Sequence, residues 1–195
     1  LKSMKNLIEF RLRMPRTRRD SEIKSKREYL SILSESLGKL KNLRALEINF
    51  SYNSALTKIE IMDFGMALKE LQDLRHLRIN ISGCHNINKE GFDNLFEAIS
   101  VLKNLKLLDI GLYFNLGVMN ENIELMGDYF STLSNLESLR LNMTRCMLIT
   151  DPALKSLYLG LLNLTNLRKL SLDLSELHFT DAGMKDLGEA ISSLL

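Results

Sequence analysis

The sequence predicts an α/β solenoid of about six strand-turn-helix repeats, stacked into a curved horseshoe with a parallel sheet inside and helices outside. An Asn-Leu or Asp-Leu pair recurs at a constant step of 31, at positions 42, 73, 104, 135 and 166. Alternating apolar residues follow each pair, and a helical stripe of apolar residues follows the alternation. A unit this short cannot bury its apolar face alone, so the repeats are stable only when they stack.

The strands are predicted by a leucine with apolar residues three, five and seven positions later. The second repeat carries this pattern at Leu43, Leu46, Ile48 and Phe50, and the next four repeats follow it. Alternation over this length is typical of a strand with one buried face. An earlier Asn-Leu pair begins at position 6, five residues further from position 42 than the constant step predicts, which indicates a five-residue insertion in the first repeat.

The helices are predicted by apolar residues at i, i+3, i+7 and i+10. The second repeat carries this stripe at Ile61, Phe64, Leu68 and Leu71. The last repeat carries it at Met184, Leu187, Ile191 and Leu194, once a single residue is deleted from its loop. Because a helix is wider than the strand spacing of about 4.8 Å, the stack should curve with its strands inside.

The pattern LxxLxIxxS, followed by a helix that opens on a small residue such as Gly91 or Gly183, resembles leucine-rich repeats of the ribonuclease-inhibitor type over the whole chain. Repeats of that type have about 28 or 29 residues, so this repeat is longer. The polar position at the strand edge also falls two residues late. It forms a polar column that we expect to hydrogen-bond the backbone of the next turn, and its members are Asn53, Cys84, Asn115 and Cys146.

Composition excludes several protein classes. Leucine alone supplies 41 of the 195 residues, which excludes a disordered chain. Lys and Arg number 26 against 24 Asp and Glu, so no global field favours nucleic acid or a membrane. No apolar run is long enough to span a bilayer, and the first residues lack a signal peptide. Two cysteines are too few for a disulfide framework, which favours a reducing, cytoplasmic location. We expect residues 1–195 to form one array, a segment of a longer one.

Nothing in the sequence predicts catalysis, a cofactor or a metal. His85 and His178 occupy the same loop position three repeats apart, on the order of 14 Å, too far to share a metal ion. Cys84 and Cys146 lie two repeats apart, about 10 Å, beyond disulfide reach. Nucleotide-binding, serine-hydrolase and zinc-protease motifs are missing from the sequence. We therefore expect that the protein is not an enzyme.

Two columns of side chains should line the concave face, because alternate strand residues point away from the core. The fifth strand position forms a charge column of alternating sign, which predicts a self-compensating ladder: Arg11, Glu47, Arg78, Asp109, Arg140 and Ser171. The seventh position is rich in asparagine: Arg13, Asn49, Asn80, Gly111, Asn142 and Asp173. We call Asn49, Asn80 and Asn142 the amide column. It is predicted either to form a ladder with itself or to bind a peptide.

Residues 11–27, which we call the basic segment, carry eight basic against two acidic residues, a net charge of +6 in a chain of +2. This segment is either a solvated loop or the contact for an acidic partner or nucleic acid. Nucleic acid is the less favoured of these partners, because no aromatic residue lies within residues 11–20 to provide a stacking platform. Tyr113 interrupts a column of Ser and Thr, either as a partner anchor or as a plug above Gly111.

The resemblance to leucine-rich repeats implies a non-catalytic scaffold that binds a partner protein by the concave face, by the basic segment, or by both. The predicted partner-binding residues are Arg13, Arg16, Arg18, Arg19, Asn49, Asn80, Tyr113 and Asn142. Two alternatives are a structural subunit of a ribonucleoprotein or cytoskeletal assembly that contacts an anionic surface, and the regulatory array of a larger enzyme. Fold does not decide among these functions.

Overall fold

Six strands alternate with six helices in the computed structural model, which describes residues 4, 6–14, 16 and 23–192, without the side chains of 23–26, 190 and 191. The strands are β1 (Glu9–Arg13), β2 (Ala45–Asn49), β3 (His76–Asn80), β4 (Leu107–Gly111), β5 (Ser138–Asn142) and β6 (Lys169–Asp173). The helices are α1 (Ile23–Leu37), α2 (Lys58–Lys69), α3 (Lys89–Ser100), α4 (Asn120–Phe130), α5 (Asp151–Leu162) and α6 (Asp181–Ser192).

The strands form one parallel sheet in sequence order, β1 to β6. Each residue pairs with its counterpart in the next repeat, so Glu47 lies opposite Arg78 and Arg78 opposite Asp109. Strands β2 to β6 begin at a constant interval. The interval from the start of β1 to the start of β2 is five residues longer. The predicted α/β repeat solenoid, with its parallel sheet, is confirmed.

The core lies between the sheet and the helices. Leu46 and Ile48 of β2 are 2% and 1% exposed, and the predicted stripe residues Ile61 and Phe64 of α2 are 0% and 1% exposed. Burying an aliphatic or aromatic side chain of this size contributes about 2 kcal/mol. Since each of the first five repeats contributes such buried residues, stability is shared along the stack rather than held in one repeat.

The prediction for the last helix is wrong at Met184. Helix α6 begins one residue earlier than one full strand interval after the start of α5. This shift agrees with the single-residue deletion. Met184 then aligns with Leu154, but Met184 is 53% exposed and Leu154 is 1% exposed. The physical reason is that no described element packs on the far side of α6, whereas α5 packs against both α4 and α6.

Polar caps fix where the helices begin. At the start of α2, the Thr57 hydroxyl accepts a hydrogen bond from the Ile59 amide, and the Glu60 carboxylate accepts one from the Thr57 amide at 2.9 Å. This reciprocal arrangement satisfies amides that the first turn leaves unpaired. Glu60 is 5% exposed, and its carboxylate also lies 3.7 Å from Nε of Arg27 in α1. The cap therefore joins two neighbouring helices.

A column of left-handed residues turns the chain after each of strands β2 to β6. Its φ angles lie between 53° and 64°, and its members are Tyr52, Gly83, Phe114, Arg145 and Glu176. Left-handed backbone costs a residue with a Cβ about 1 kcal/mol, and only Gly83 avoids this cost. A Cβ added to Gly83 would lie 2.5 Å from the Tyr52 ring, so that ring covers the glycine.

No helix in the described part of the chain is both long enough and apolar enough to cross a membrane.

Candidate functional site: the concave face

The concave face is the sheet surface opposite the helices, and the charge column and the amide column form its floor. A depression of about 300 Å³ crosses this floor from Arg13 of β1 to Asn142 of β5. Strand alternation places these side chains there, because their neighbours Leu46, Ile48 and Leu77 are buried on the other side of the sheet. The lining is mostly polar, so hydrogen bonds and charge would dominate the binding of a ligand.

The charge column forms the predicted ladder over four strands. Glu47 lies 3.8 Å from Arg11 and 3.7 Å from Arg78. Arg78 is shared, because it also lies 3.9 Å from Asp109. Pairs this long and this exposed contribute at most about 1 kcal/mol each and weaken with salt. A ligand can therefore displace them at low cost.

Asp109 is a half-buried carboxylate of the charge column. Burial raises the pKa of its carboxyl group, and the attraction of Arg140 and Arg78 opposes this effect without cancelling it. The neighbouring cations thus do not fully offset the loss of water around Asp109. Because folding raises this pKa, the free energy of unfolding falls as the pH rises through the folded pKa, where the buried carboxyl group ionises. Below the unfolded pKa the carboxyl group is protonated in both states, so the effect is absent.

The amide column does not form the predicted ladder. The Oδ1 atom of each asparagine accepts a hydrogen bond from the backbone amide two residues later: Asn49 from Ser51 at 2.9 Å, Asn80 from Ser82 at 3.0 Å and Asn142 from Thr144 at 3.1 Å. These bonds close turns at the strand ends. Within the residues that the structure describes, no group accepts a hydrogen bond from their Nδ2 atoms. Peptide binding, the other alternative for this column, stays a prediction.

Gly111 interrupts the amide column between Asn80 and Asn142. A Cβ added here would lie 3.0 Å from Oδ1 of Asn80 and 3.3 Å from Oγ of Ser82. A glycine is therefore accommodated here because the side chains of Asn80 and Ser82 already occupy the space above it. These nearest atoms belong to Asn80 and Ser82 and not to the Tyr113 ring, which disfavours Tyr113 as a plug above Gly111.

Tyr113 lies at the edge of the concave face, after β4, and is half-buried. Its hydroxyl oxygen accepts a hydrogen bond from Nη1 of Arg145 at 3.2 Å. Arg145 also pairs with Glu176 at 2.6 Å, and the neighbouring Phe114 ring lies 5.0 Å from that of His85 in an edge-to-face contact. These contacts hold Tyr113 in one orientation beside the depression.

The polar column stabilises the turns beneath this edge. Asn115 is 0% exposed, and its Nδ2 donates to the carbonyl oxygens of Ile81 and Leu112 while its Oδ1 accepts from the Cys84 amide. The predicted hydrogen bonds to an adjacent turn are therefore present, but they reach the preceding turn rather than the next. Since strands are added in sequence order, Asn115 ties its own repeat to the one before it.

The two cysteines have the same structural role. Cys84 Sγ donates to the Phe50 carbonyl at 3.2 Å, and Cys146 Sγ donates to the Leu112 carbonyl at 3.1 Å. Both side chains are 0% exposed, and burial raises the pKa of each thiol to about 11. The thiols are therefore protonated near neutral pH and are not nucleophiles.

The structure describes only part of the basic segment. Arg18 and Arg19 lie outside the described residues. The Arg16 guanidinium carbon lies 4.4 Å from the centre of the Tyr52 ring, a cation-π contact with the second repeat. No aromatic residue lies within residues 11–20, but stacking of the repeats brings Tyr52, which is distant in sequence, close to Arg16. Arg13 lies at the end of the depression.

Within the described ranges, no group of three His, Cys, Asp or Glu side chains is placed to hold a metal ion. His76 lies at the start of β3, and His85 lies in the loop after this strand, in contact with Phe114.

Comparison with known proteins places the fold. No protein-family model and no curated protein matches the chain. Among solved structures, a chain of the yeast Rad7 and Elc1 complex is similar, with 20% identity and a TM-score of 0.56 over 92% of this chain. A leucine-rich-repeat protein of Leptospira interrogans has 15% identity and a TM-score of 0.16, over 78% of this chain and 66% of its own.

The likeness to the yeast structure shows a leucine-rich-repeat-like fold. This chain spans 40% of the yeast chain that it matches. The likeness therefore concerns the repeat array that the two chains share.

Proposed function

We propose that this protein is a non-catalytic scaffold that binds a partner protein through the concave face of its repeat array. The observation that carries the proposal is the polar floor between Arg13 and Asn142, where the amide column keeps its Nδ2 donors available. Half-buried polar donors that lack a protein partner favour a ligand that supplies one. Tyr113, held at the edge by Arg145, supplies an aromatic anchor of the kind that interfaces favour.

The same proposal covers the finer features that the sequence predicts. The array is of the ribonuclease-inhibitor type with its repeat period lengthened to 31, and it acts in a reducing compartment. The likeness to a chain from a two-protein complex supports a protein partner. The basic segment adds a second contact for an acidic surface, and the Arg16 and Tyr52 stack supports this role because it presents a guanidinium plane at the edge of the array.

We further propose that the array continues in a longer chain or assembly. The apolar residues Leu12 of β1 and Leu170 and Leu172 of β6 are half-buried, whereas their counterparts in the middle strands are buried. A neighbouring repeat or partner subunit would cover them, as expected for repeat arrays.

A pull-down from the source cell lysate at low and at high salt tests the proposed function. The variant Tyr113→Ala with Asn142→Ala alters the concave face, and the variant Arg16→Ser, Arg18→Ser and Arg19→Ser alters the basic segment. We expect a protein recovered at both salt concentrations, with recovery reduced about tenfold by the first variant, because short-range hydrogen bonds and packing resist screening.

The control for this experiment is Asn163→Ala, at the exposed end of α5. It should leave recovery unchanged. Recovery that disappears at high salt and in the basic-segment variant alone would instead assign binding to residues 11–27 and overturn the concave-face proposal. Circular dichroism of each variant checks that the fold is retained.

A further inference from the structure

We propose that the concave face recognises an extended acidic segment of the partner protein, whose carboxylate and carbonyl oxygens accept hydrogen bonds from the amide column. This inference rests on the proposed function and adds to it the chemistry of the partner.

The amide column presents donors and withholds acceptors. Each asparagine side chain has one oxygen and one NH₂ group. A backbone amide can only donate, so the atom that meets it must be the oxygen, and this holds at Asn49, Asn80 and Asn142. The oxygen is thereby engaged in the strand-end turn, and the NH₂ group is the donor that each of these asparagines, all in the lining of the depression, keeps for a ligand. A ligand that binds here must bring acceptors.

Arginines lie at the two ends of the depression. Arg13 lies at one end and Arg140 at the other, whereas Glu47 and Asp109 lie between them, with Arg78 shared by both carboxylates. The lining therefore carries three arginines against two carboxylates, a net charge of +1, although its middle is −1 and Asp173 of β6 also attracts Arg140. A ligand with carboxylates at its ends and uncharged acceptors between them matches this order.

A peptide matches this order better than a nucleic acid. A phosphate backbone carries a charge at every nucleotide, and its central phosphates would face Glu47 and Asp109. A peptide can place carboxylates opposite Arg13 and Arg140 and neutral carbonyls between them. From β1 to β5 the floor spans four strand spacings, about 19 Å, which about six extended residues would cross.

The test is an NMR titration of the whole chain, with the side-chain NH₂ resonances of the amide column as reporters. The probe is a short blocked peptide with paired glutamates at both ends and uncharged residues between them. The comparison probes are the same peptide with lysines in place of the glutamates and a short single-stranded oligothymidylate. We expect saturable shifts of the Asn49, Asn80 and Asn142 resonances with the acidic peptide alone.

The variant is Asn80→Asp, which replaces the donor by an acceptor and keeps the oxygen that closes the turn. Asp173 occupies this column in the last repeat and accepts the Ser175 amide at 3.3 Å, so aspartate is compatible with the local fold. The matched control is Asn88→Asp at the start of α3, where the side-chain oxygen accepts the Gly91 amide at 3.1 Å and aspartate is an equally good cap.

We expect Asn80→Asp to weaken binding of the acidic peptide at least tenfold, and Asn88→Asp to change it less than twofold. Equal effects of the two substitutions would overturn the inference, as would equal binding of the lysine peptide. Tighter binding of the oligothymidylate would identify a nucleic-acid surface instead. If the lysate partner is still lost in the concave-face variant while the acidic peptide fails to bind, the inference is wrong and the proposed function stands.

Discussion

Gly160→Ala is expected to destabilise the protein by about 3 kcal/mol, because helices α4 and α5 cross at this residue with their backbones in contact. A Cβ at Gly160 would lie 2.3 Å from the carbonyl oxygen of Gly127 and 2.6 Å from its Cα. Backbone atoms cannot rotate away, so the helices must separate. This cost exceeds the gain in helix propensity from glycine to alanine, about 1 kcal/mol. Urea unfolding followed by circular dichroism measures the difference.

Gly188→Ala in α6 is the matched control. No atom of the described residues lies within 4 Å of a Cβ added there, so only the gain in propensity remains. We expect Gly188→Ala to raise the free energy of unfolding by about 0.5 to 1 kcal/mol. If both substitutions stabilised the protein, the close approach of α4 and α5 would be wrong.

Asn115→Ala is expected to cost about 2 to 3 kcal/mol, because the substitution removes three hydrogen bonds from a site that water does not reach. The Ile81 carbonyl, the Leu112 carbonyl and the Cys84 amide each lose a partner. The loss is limited by the thiol of Cys146, which also donates to the Leu112 carbonyl. The measurement is the same urea unfolding experiment.

Two substitutions bracket the effect at Asn115. Asn115→Cys introduces the residue type found at Cys84 and Cys146, which keeps one donor to the preceding turn, and it should cost less than alanine. Asn104→Ala removes one hydrogen bond from an exposed asparagine to the Gln72 carbonyl and should cost less than about 1 kcal/mol. Similar losses for Asn104→Ala and Asn115→Ala would contradict a structural role for the polar column.

The repeat period is sufficient to predict the fold and the composition of the concave face. A shift by one repeat period brings Glu47, Arg78 and Asp109 onto adjacent strands, and these residues pair as the alternation of sign predicts. The period works because each repeat contacts mainly its neighbours, so position within a repeat determines the environment. Alternation alone determines which face of the sheet each side chain occupies and in which register neighbouring strands pair.

Features set by loop backbone could not be predicted in this way. The strand-end turn that engages the oxygen of Asn80 depends on backbone geometry after the strand, about which alternation carries no information. The left-handed backbone conformation of Phe114 and Arg145 could not be predicted from the sequence either, because these residue types seldom adopt it. The contact of Arg16 with Tyr52 joins different repeats across the insertion that lengthens the first repeat.

Close backbone approach is the other feature that escapes the pattern. Gly127 and Gly160 occur within helical stripes, where glycine is ordinarily unfavourable. Their positions are explained only when α4 and α5 are in place. Glycine inside an otherwise regular apolar stripe is the sequence signal that could have indicated this contact.

Photo-crosslinking from two positions tests most directly whether the concave face binds the partner. A photoreactive residue replaces His76, which is exposed on β3 beside the charge column, or Met66, which is 60% exposed on α2. Neither side chain belongs to the core, so both variants should fold. In cell lysate under ultraviolet light, we expect a protein adduct from position 76 and none above background from position 66. Adduct formation from position 66 alone would place the partner on the helices and contradict the account.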